Sequence, residues 1–209
     1  MSPLSLIETL RWEPETGFLR LDLHLARLAH SAKALGLPGA GQAADTLTAA
    51  ASGSASLRVR LELFADGRIE VTTAPFVPLA LNAVWRVAIA STRLSSSDPL
   101  LRHKTSHRSL YDRARAEFTR EEADEVLLLN ENDELCEGTI TSLFVDDGTG
   151  LLLTPPLSSG LLAGVLRTEL LSRKKAREER LRLADIEGRT AYTGNSLRGL
   201  IRATLRHKE

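Results

Sequence analysis

Cysteine is all but absent from this sequence: Cys136 is the one thiol in 209 residues. That excludes an internal disulfide and a cysteine-built metal cluster, and it fits a reducing compartment. A surplus of one charge is lacking too, because Lys plus Arg and Asp plus Glu number 27 each. No whole-molecule field then draws in nucleic acid or an anionic membrane, so the expected partner is a small molecule. No apolar run approaches the ~18 residues of a membrane span, and the opening MSPLSLIETLRW has no basic leader. A cytoplasmic protein is expected. Also missing are a Gly-rich nucleotide loop and a G-x-S-x-G elbow. The histidines, His24, His30, His103, His107 and His207, include no i, i+4 pair with a carboxylate suited to zinc, so no metal is expected.

What is present is a series of short apolar runs with turn signals between them. Residues 4–12 read as a strand, Glu13 to Gly17 as a turn, and residues 18–21 as a second strand. Asp22 is a plausible N-cap for a helix to Leu35, with Leu25, Leu28, Ala29, Ala32 and Leu35 on one face and Gly36 as its stop. His24, Arg27 and Lys33 then fall away from the centre of that face. An alanine-rich helix is expected over residues 42–51, and strands over 57–64, 68–73 and 84–90, the first two joined by an Asp66-Gly67 turn. The serine-rich residues 93–101 read as a linker unable to pack a core, which divides the chain into an N-terminal lobe, 1–92, and a C-terminal lobe, 102–209. Beyond it, helices are expected over 106–118 and 164–174, and strands over 125–129, 140–145, 151–153 and 190–193. The mixed-charge run 173–182 reads as a solvated helix end and surface loop.

Singly, the reactive side chains are unremarkable. A lysine in HKTS is more often a surface residue than a nucleophile, and Cys136 has no histidine base at a known spacing. Their order along the chain carries more. It runs LIETLRW (6–12), LDLHLARLAHSAKALG (21–36), RHKTSHRSLYD (102–112), DEVLLLNENDELCEGTITSLFV (124–145), TPPLSSGLLAGVLR (154–167) and TGNSLRGL (193–200).

This series resembles the class IV aminotransferase family, the fold-type IV pyridoxal-phosphate enzymes, and most of all its aminodeoxychorismate lyase branch. The resemblance spans nearly the whole chain and implies a two-lobe α/β (α+β) fold with the cofactor, pyridoxal 5'-phosphate, between the lobes, in a homodimer. It implies a lyase releasing pyruvate and para-aminobenzoate; the alternatives are an amino-acid transaminase of the branched-chain or D-amino acid type, and a degenerate cofactor-binding protein. Lys104 matches the cofactor-bonding lysine and would serve as both acid and base, with His103 and Arg108 helping to supply a cationic setting. Glu137, 33 residues later, matches the carboxylate that pairs with the pyridine nitrogen.

Arg27 matches the arginine that binds the cofactor phosphate. Gly164, Val165 and Leu166 match a helix start whose amides hold the same phosphate, with Leu166 where many relatives carry a hydroxyl. Asn195 and Ser196, after Gly194, match a second loop at the phosphate and substrate edge. Arg11, Arg108 and Arg198 are candidates for holding substrate carboxylates. Two departures stand out. The family's first N-terminal hairpin has no counterpart, which implies a shortened N-terminal lobe. Ser109 stands five positions after the lysine, where branched-chain transaminases have tyrosine, which leaves the partner of the cofactor phenolate open.

Overall fold

The computed structural model describes residues 3–206. The chain divides into two compact units, Met1–Pro78 with His103–His107, and Leu79–Arg102 with Arg108–Glu209. In the first unit β1 (Ser5–Glu13), β2 (Gly17–Phe18), β3 (Leu57–Phe64) and β4 (Ile69–Pro75) form an antiparallel sheet in the order β2-β1-β3-β4. Side chains alternate across a strand, so Leu6 and Leu10 of β1 share a core with Val59, Leu61 and Leu63 of β3. Leu28 and Ala32 of helix α1 (Leu21–Leu35) and Ala43 and Leu47 of α2 (Ala43–Ala50) complete that core. Gly36 ends α1 in the left-handed region at φ 71°, as its position in the sequence suggested. Asp22 does not cap it. Arg20, at φ 59°, holds the N-cap, and Asp22 lies in the first turn, where a carboxylate suits the positive end of the helix.

The second unit is built on β5 (Val84–Leu94), β6 (Glu125–Asn130), β7 (Leu135–Gly138), β8 (Ser142–Asp146), β9 (Leu152–Thr154), β10 (Ala176–Glu178), β11 (Ala191–Asn195) and β12 (Gly199–Leu205). Their order is β10-β9-β8-β11-β12-β5-β6-β7, and β7 also pairs with β8, so six strands close on themselves. Closure explains why β6 is buried along its whole length. Its alternate residues serve two cores: Leu127 and Leu129 pack with Val87, Leu143 and Val145, whereas Val126 and Leu128 pack with Ala88, Leu94 and Ala114. Ala114 belongs to α3 (Ser109–Ala116), and α4 (Val165–Ser172) covers Phe144 and Tyr192 through Leu166. No helix of the described residues is long and apolar enough to cross a membrane.

Several expectations change. The boundary placed at residue 92 falls inside β5, which belongs to the second unit, and His103–His107 groups with the first unit by pairing with β1. The supposed linker does pack a core. Leu94 and Leu101 are buried, Pro99–Arg102 forms a 3-10 turn, and Ser96 is tied by its N–H to Glu131 at 2.8 Å. Run 173–182 contains β10 and the buried Ala176 and Leu181, so it is only partly solvated. Strands β7 and β12 escaped the sequence reading because β7 is only four residues long and β12 alternates arginine and threonine with its buried Ile201.

Candidate active site

Lys104 is held by its neighbours' backbone. Ile7 N–H donates to Lys104 O at 2.8 Å, Ser106 N–H donates to Ser5 O at 2.9 Å, and Leu6 bridges to Thr105. The lysine segment therefore extends the sheet beside β1, leaving Lys104 half-buried. His103, just before it, has Nδ1 2.9 Å from Ser31 Oγ, and its ring centroid lies 6.0 Å from that of His30. Burial, and then the charge of His30, hold His103 below the ordinary histidine pKa. That shift works against the positive charge expected of it. His207 lies outside the described residues.

Arg27 faces inward, contrary to the helical-face reading. Its Nε donates to Glu8 Oε1 at 2.8 Å and its Nη2 to Glu8 Oε2 at 2.6 Å, while His24 Nδ1 lies 2.5 Å from the same Oε2. Glu8 and His24 are both buried. Burial alone would raise the Glu8 pKa, but the Arg27 charge and the hydrogen bonds from His24 and Arg27 outweigh it and bring it to about 2. Burial also lowers His24, against the opposing pull of Glu8. Glu8 was not singled out from sequence, and His24, expected away from the centre of the apolar face of α1, is buried. The available signal was that Leu6, Glu8 and Leu10 share one face of β1, which puts a carboxylate between two core leucines. Arg11, at an odd-numbered position, lies on the opposite face, ion-paired with Glu13 and 4.5 Å over the Phe76 ring.

The second unit gathers most of the other expected residues. Glu137, on β7, is buried, and its Oε1 accepts hydrogen bonds from Tyr111 Oη at 2.6 Å and Leu162 N–H at 3.1 Å. Burial first, and then Glu137, push the Tyr111 hydroxyl well above its ordinary range, so it stays protonated and donates. Tyr111 stands two residues after Ser109 on α3, and nothing local to the sequence marks it as facing Glu137. Arg108 donates through Nη2 to Thr139 O at 2.5 Å, and its guanidinium sits 4.8 Å from the Tyr111 ring.

At the start of α4, Gly164 is the N-cap and Thr168 N–H is the donor that closes onto Gly164 O, at 2.8 Å. The amides of Val165, Leu166 and Arg167 thus precede the helical ladder. A Cβ on Gly164 would meet Ser142 Oγ at 2.5 Å, so a side chain there would displace that hydroxyl. Leu166 packs its side chain against Phe144 and Tyr192, consistent with the absence of a hydroxyl contact. Asn195 spends its side chain on the turn: Oδ1 accepts from Leu197 N–H at 3.1 Å and Arg198 N–H at 3.0 Å, and Nδ2 donates to Ile140 O at 3.1 Å. Ser196 beside it is buried. Cys136 is no nucleophile, because burial, with Glu137 and Glu134 nearby, pushes its thiol far above the ordinary range.

Comparison with known proteins adds a second line of observation. A family model described as amino-transferase class IV matches residues 5–205. A Schizosaccharomyces pombe protein provisionally named as an aminodeoxychorismate lyase is 30% identical over 183 residues, covering 86% of this chain and 78% of its own length. A Mesorhizobium loti crystal structure, provisionally named as an amino-acid aminotransferase, is 48% identical with a TM-score of 0.94, covering 97% of this chain and 100% of that one. The 4-amino-4-deoxychorismate lyase of Pseudomonas aeruginosa shares the fold at 24% identity and a TM-score of 0.80, covering 96% of this chain and 82% of its own.

Proposed function

The chain belongs to the amino-transferase class IV family of pyridoxal-phosphate enzymes, and from that premise we propose that it is an aminodeoxychorismate lyase, releasing pyruvate and para-aminobenzoate. The observation that carries the choice is Arg108, whose guanidinium lies against Tyr111 while Tyr111 donates to Glu137. A cation fixed against that tyrosine suits a dicarboxylate substrate, whereas an aliphatic amino acid would want an apolar wall.

The donor set fits pyridoxal 5'-phosphate. An amide-lined helix start with Gly164 at its N-cap suits a phosphate dianion, and a buried carboxyl group at Glu137 suits a ring nitrogen. Val165 and Leu166 would hold the phosphate by their N–H groups, Arg27 by its guanidinium, and Gly164, Asn195 and Ser196 would shape its surroundings. When bound, the cofactor supplies an electron sink for the charge left as a substrate proton departs. Lys104 takes that proton at its amine and returns one as acid. Tyr111 orients Glu137 by donating to Oε1. Arg108 and Arg198 hold substrate carboxylates, and Arg11, paired with Glu13 on the other sheet face, drops from that set. A cytoplasmic homodimer without nucleic-acid or membrane partners belongs to the same proposal.

The 48% identity to the Mesorhizobium loti protein favours a second reading, an amino-acid transaminase using the same Lys104 and Glu137. Supplying aminodeoxychorismate, and separately amino acids with 2-oxoglutarate, separates the two. Pyruvate and para-aminobenzoate are expected; glutamate without para-aminobenzoate would make the protein a transaminase, and silence in both with cofactor bound would make it a degenerate binder. Borohydride should fix the cofactor to Lys104, and a label on Lys33 or Lys174 would overturn that assignment.

A further inference from the structure

Glu125, the first residue of β6, is buried, and all its partners are uncharged donors. Its Oε1 accepts from Val126 N–H at 2.9 Å, Thr139 N–H at 3.1 Å and Thr139 Oγ1 at 2.5 Å. Its Oε2 accepts from Ile140 N–H at 3.1 Å and Thr141 Oγ1 at 2.8 Å. A carboxylate this deep is stable only where hydrogen bonds replace its water, and four of these five donors come from residues 139–141. That loop follows Glu137 directly. Gly138 N–H donates to Thr141 O at 2.8 Å, and a Cβ on Gly138 would come within 2.8 Å of the Glu125 carboxyl carbon. The loop is therefore wound around the carboxylate.

The same four residues meet much of the candidate site in this unit. Thr139 O accepts from Arg108, and Ile140 O accepts from Asn195 Nδ2. Glu137 lies opposite Ser142, whose Oγ sits against Gly164 at the start of α4. We infer that Glu125 is a positioning residue: by organising residues 138–141 it sets Glu137, Arg108, Asn195 and the approach to α4 in register with one another. The inference rests on the functional reading for what those four groups do, and on geometry alone for how they are held.

The test compares the wild-type protein with Glu125→Gln, Glu125→Asp and Thr141→Val. The glutamine side chain has the same shape but can accept hydrogen bonds on one oxygen only, so two donors face its amide. Expected are an unchanged circular dichroism spectrum, amide exchange in residues 138–142 of the apoprotein faster by tenfold or more, pyridoxal-phosphate affinity lower by about tenfold, and a shifted pH midpoint of the bound cofactor's visible absorption. Glu125→Asp should restore part of each, and Thr141→Val, which removes one donor and leaves the carboxyl group, should give a smaller change of the same kind. If Glu125→Gln does not fold, Thr141→Val decides. Faster exchange confined to other segments, or a lowered melting temperature with cofactor affinity and midpoint unchanged, would make Glu125 a stabilising residue only and overturn the inference. Failure of the wild type to bind pyridoxal phosphate would instead sink the functional reading, while exchange in residues 138–142 still decides whether Glu125 holds the loop.

Discussion

Each compact unit buries a carboxyl group beside a proposed functional residue, and the two are held by opposite means. Glu8, in the first unit, is held by charge, with Arg27 forked onto both oxygens and His24 against one of them. Glu125, in the second, is held by neutral donors that one short loop supplies. A charge-held group fixes one partner side chain strongly, and leaves a cation stranded if it is lost. A donor-held group fixes a stretch of backbone, and its loss frees several groups at once.

That contrast can be broken most directly at Glu8. Glu8→Ala strands a largely buried Arg27, and we expect a loss of about 3–5 kcal/mol in chemical denaturation. Glu8→Ala, Arg27→Met should recover much of it; no recovery would show that the pair is not the cause. Next in size is the response to acid. The folded Glu8 pKa of about 2 lies below its unfolded value, so its stabilisation is full above the usual carboxylate range and is lost as pH falls from there toward 2. The shift corresponds to about 3 kcal/mol. His24, lowered chiefly by burial, adds a loss of the same sign just below the ordinary histidine range. Denaturation midpoints between pH 7 and 3 should fall less steeply for Glu8→Gln than for the wild type.

The donor-held side is probed by Gly138→Ala, which forces a methyl against the Glu125 carboxyl group and Thr141 Oγ1 at distances under 3.0 Å. A loss of about 1–3 kcal/mol is expected, as for other overpacked sites, with faster amide exchange in residues 138–142. The smallest effect is expected from Tyr111→Phe, which removes one donor from buried Glu137 and leaves Leu162 N–H. Stability should fall by about 1–2 kcal/mol, and cofactor binding with it. An unchanged cofactor titration would mean that Tyr111 serves the core and not the site.

The sequence by itself determined more than the element order. The period of Leu25, Leu28, Ala29, Ala32 and Leu35 specified α1, although Ala29 lies exposed, Gly36 specified its end, and the Asp66-Gly67 pair specified the β3–β4 turn, because each is a local preference of a few neighbouring residues. The ordered motifs were enough for the family. Only the tertiary structure decided which polar residues face inward. Glu8 and Tyr111 look like ordinary surface residues until β1 meets α1 and α3 meets β7, and residues 93–101 look like a linker until Leu94 and Leu101 find Val126. Arg27 was chosen for its motif but placed on the solvent side of its helix, because a hydrophobic pattern counts apolar faces and cannot register a buried ion pair. The five donors around Glu125 come from residues up to 16 positions away, brought together by the β6–β7 pairing and its turn. Burial of charge depends on partners from separate elements, and that dependence is physical information no local stretch of sequence contains.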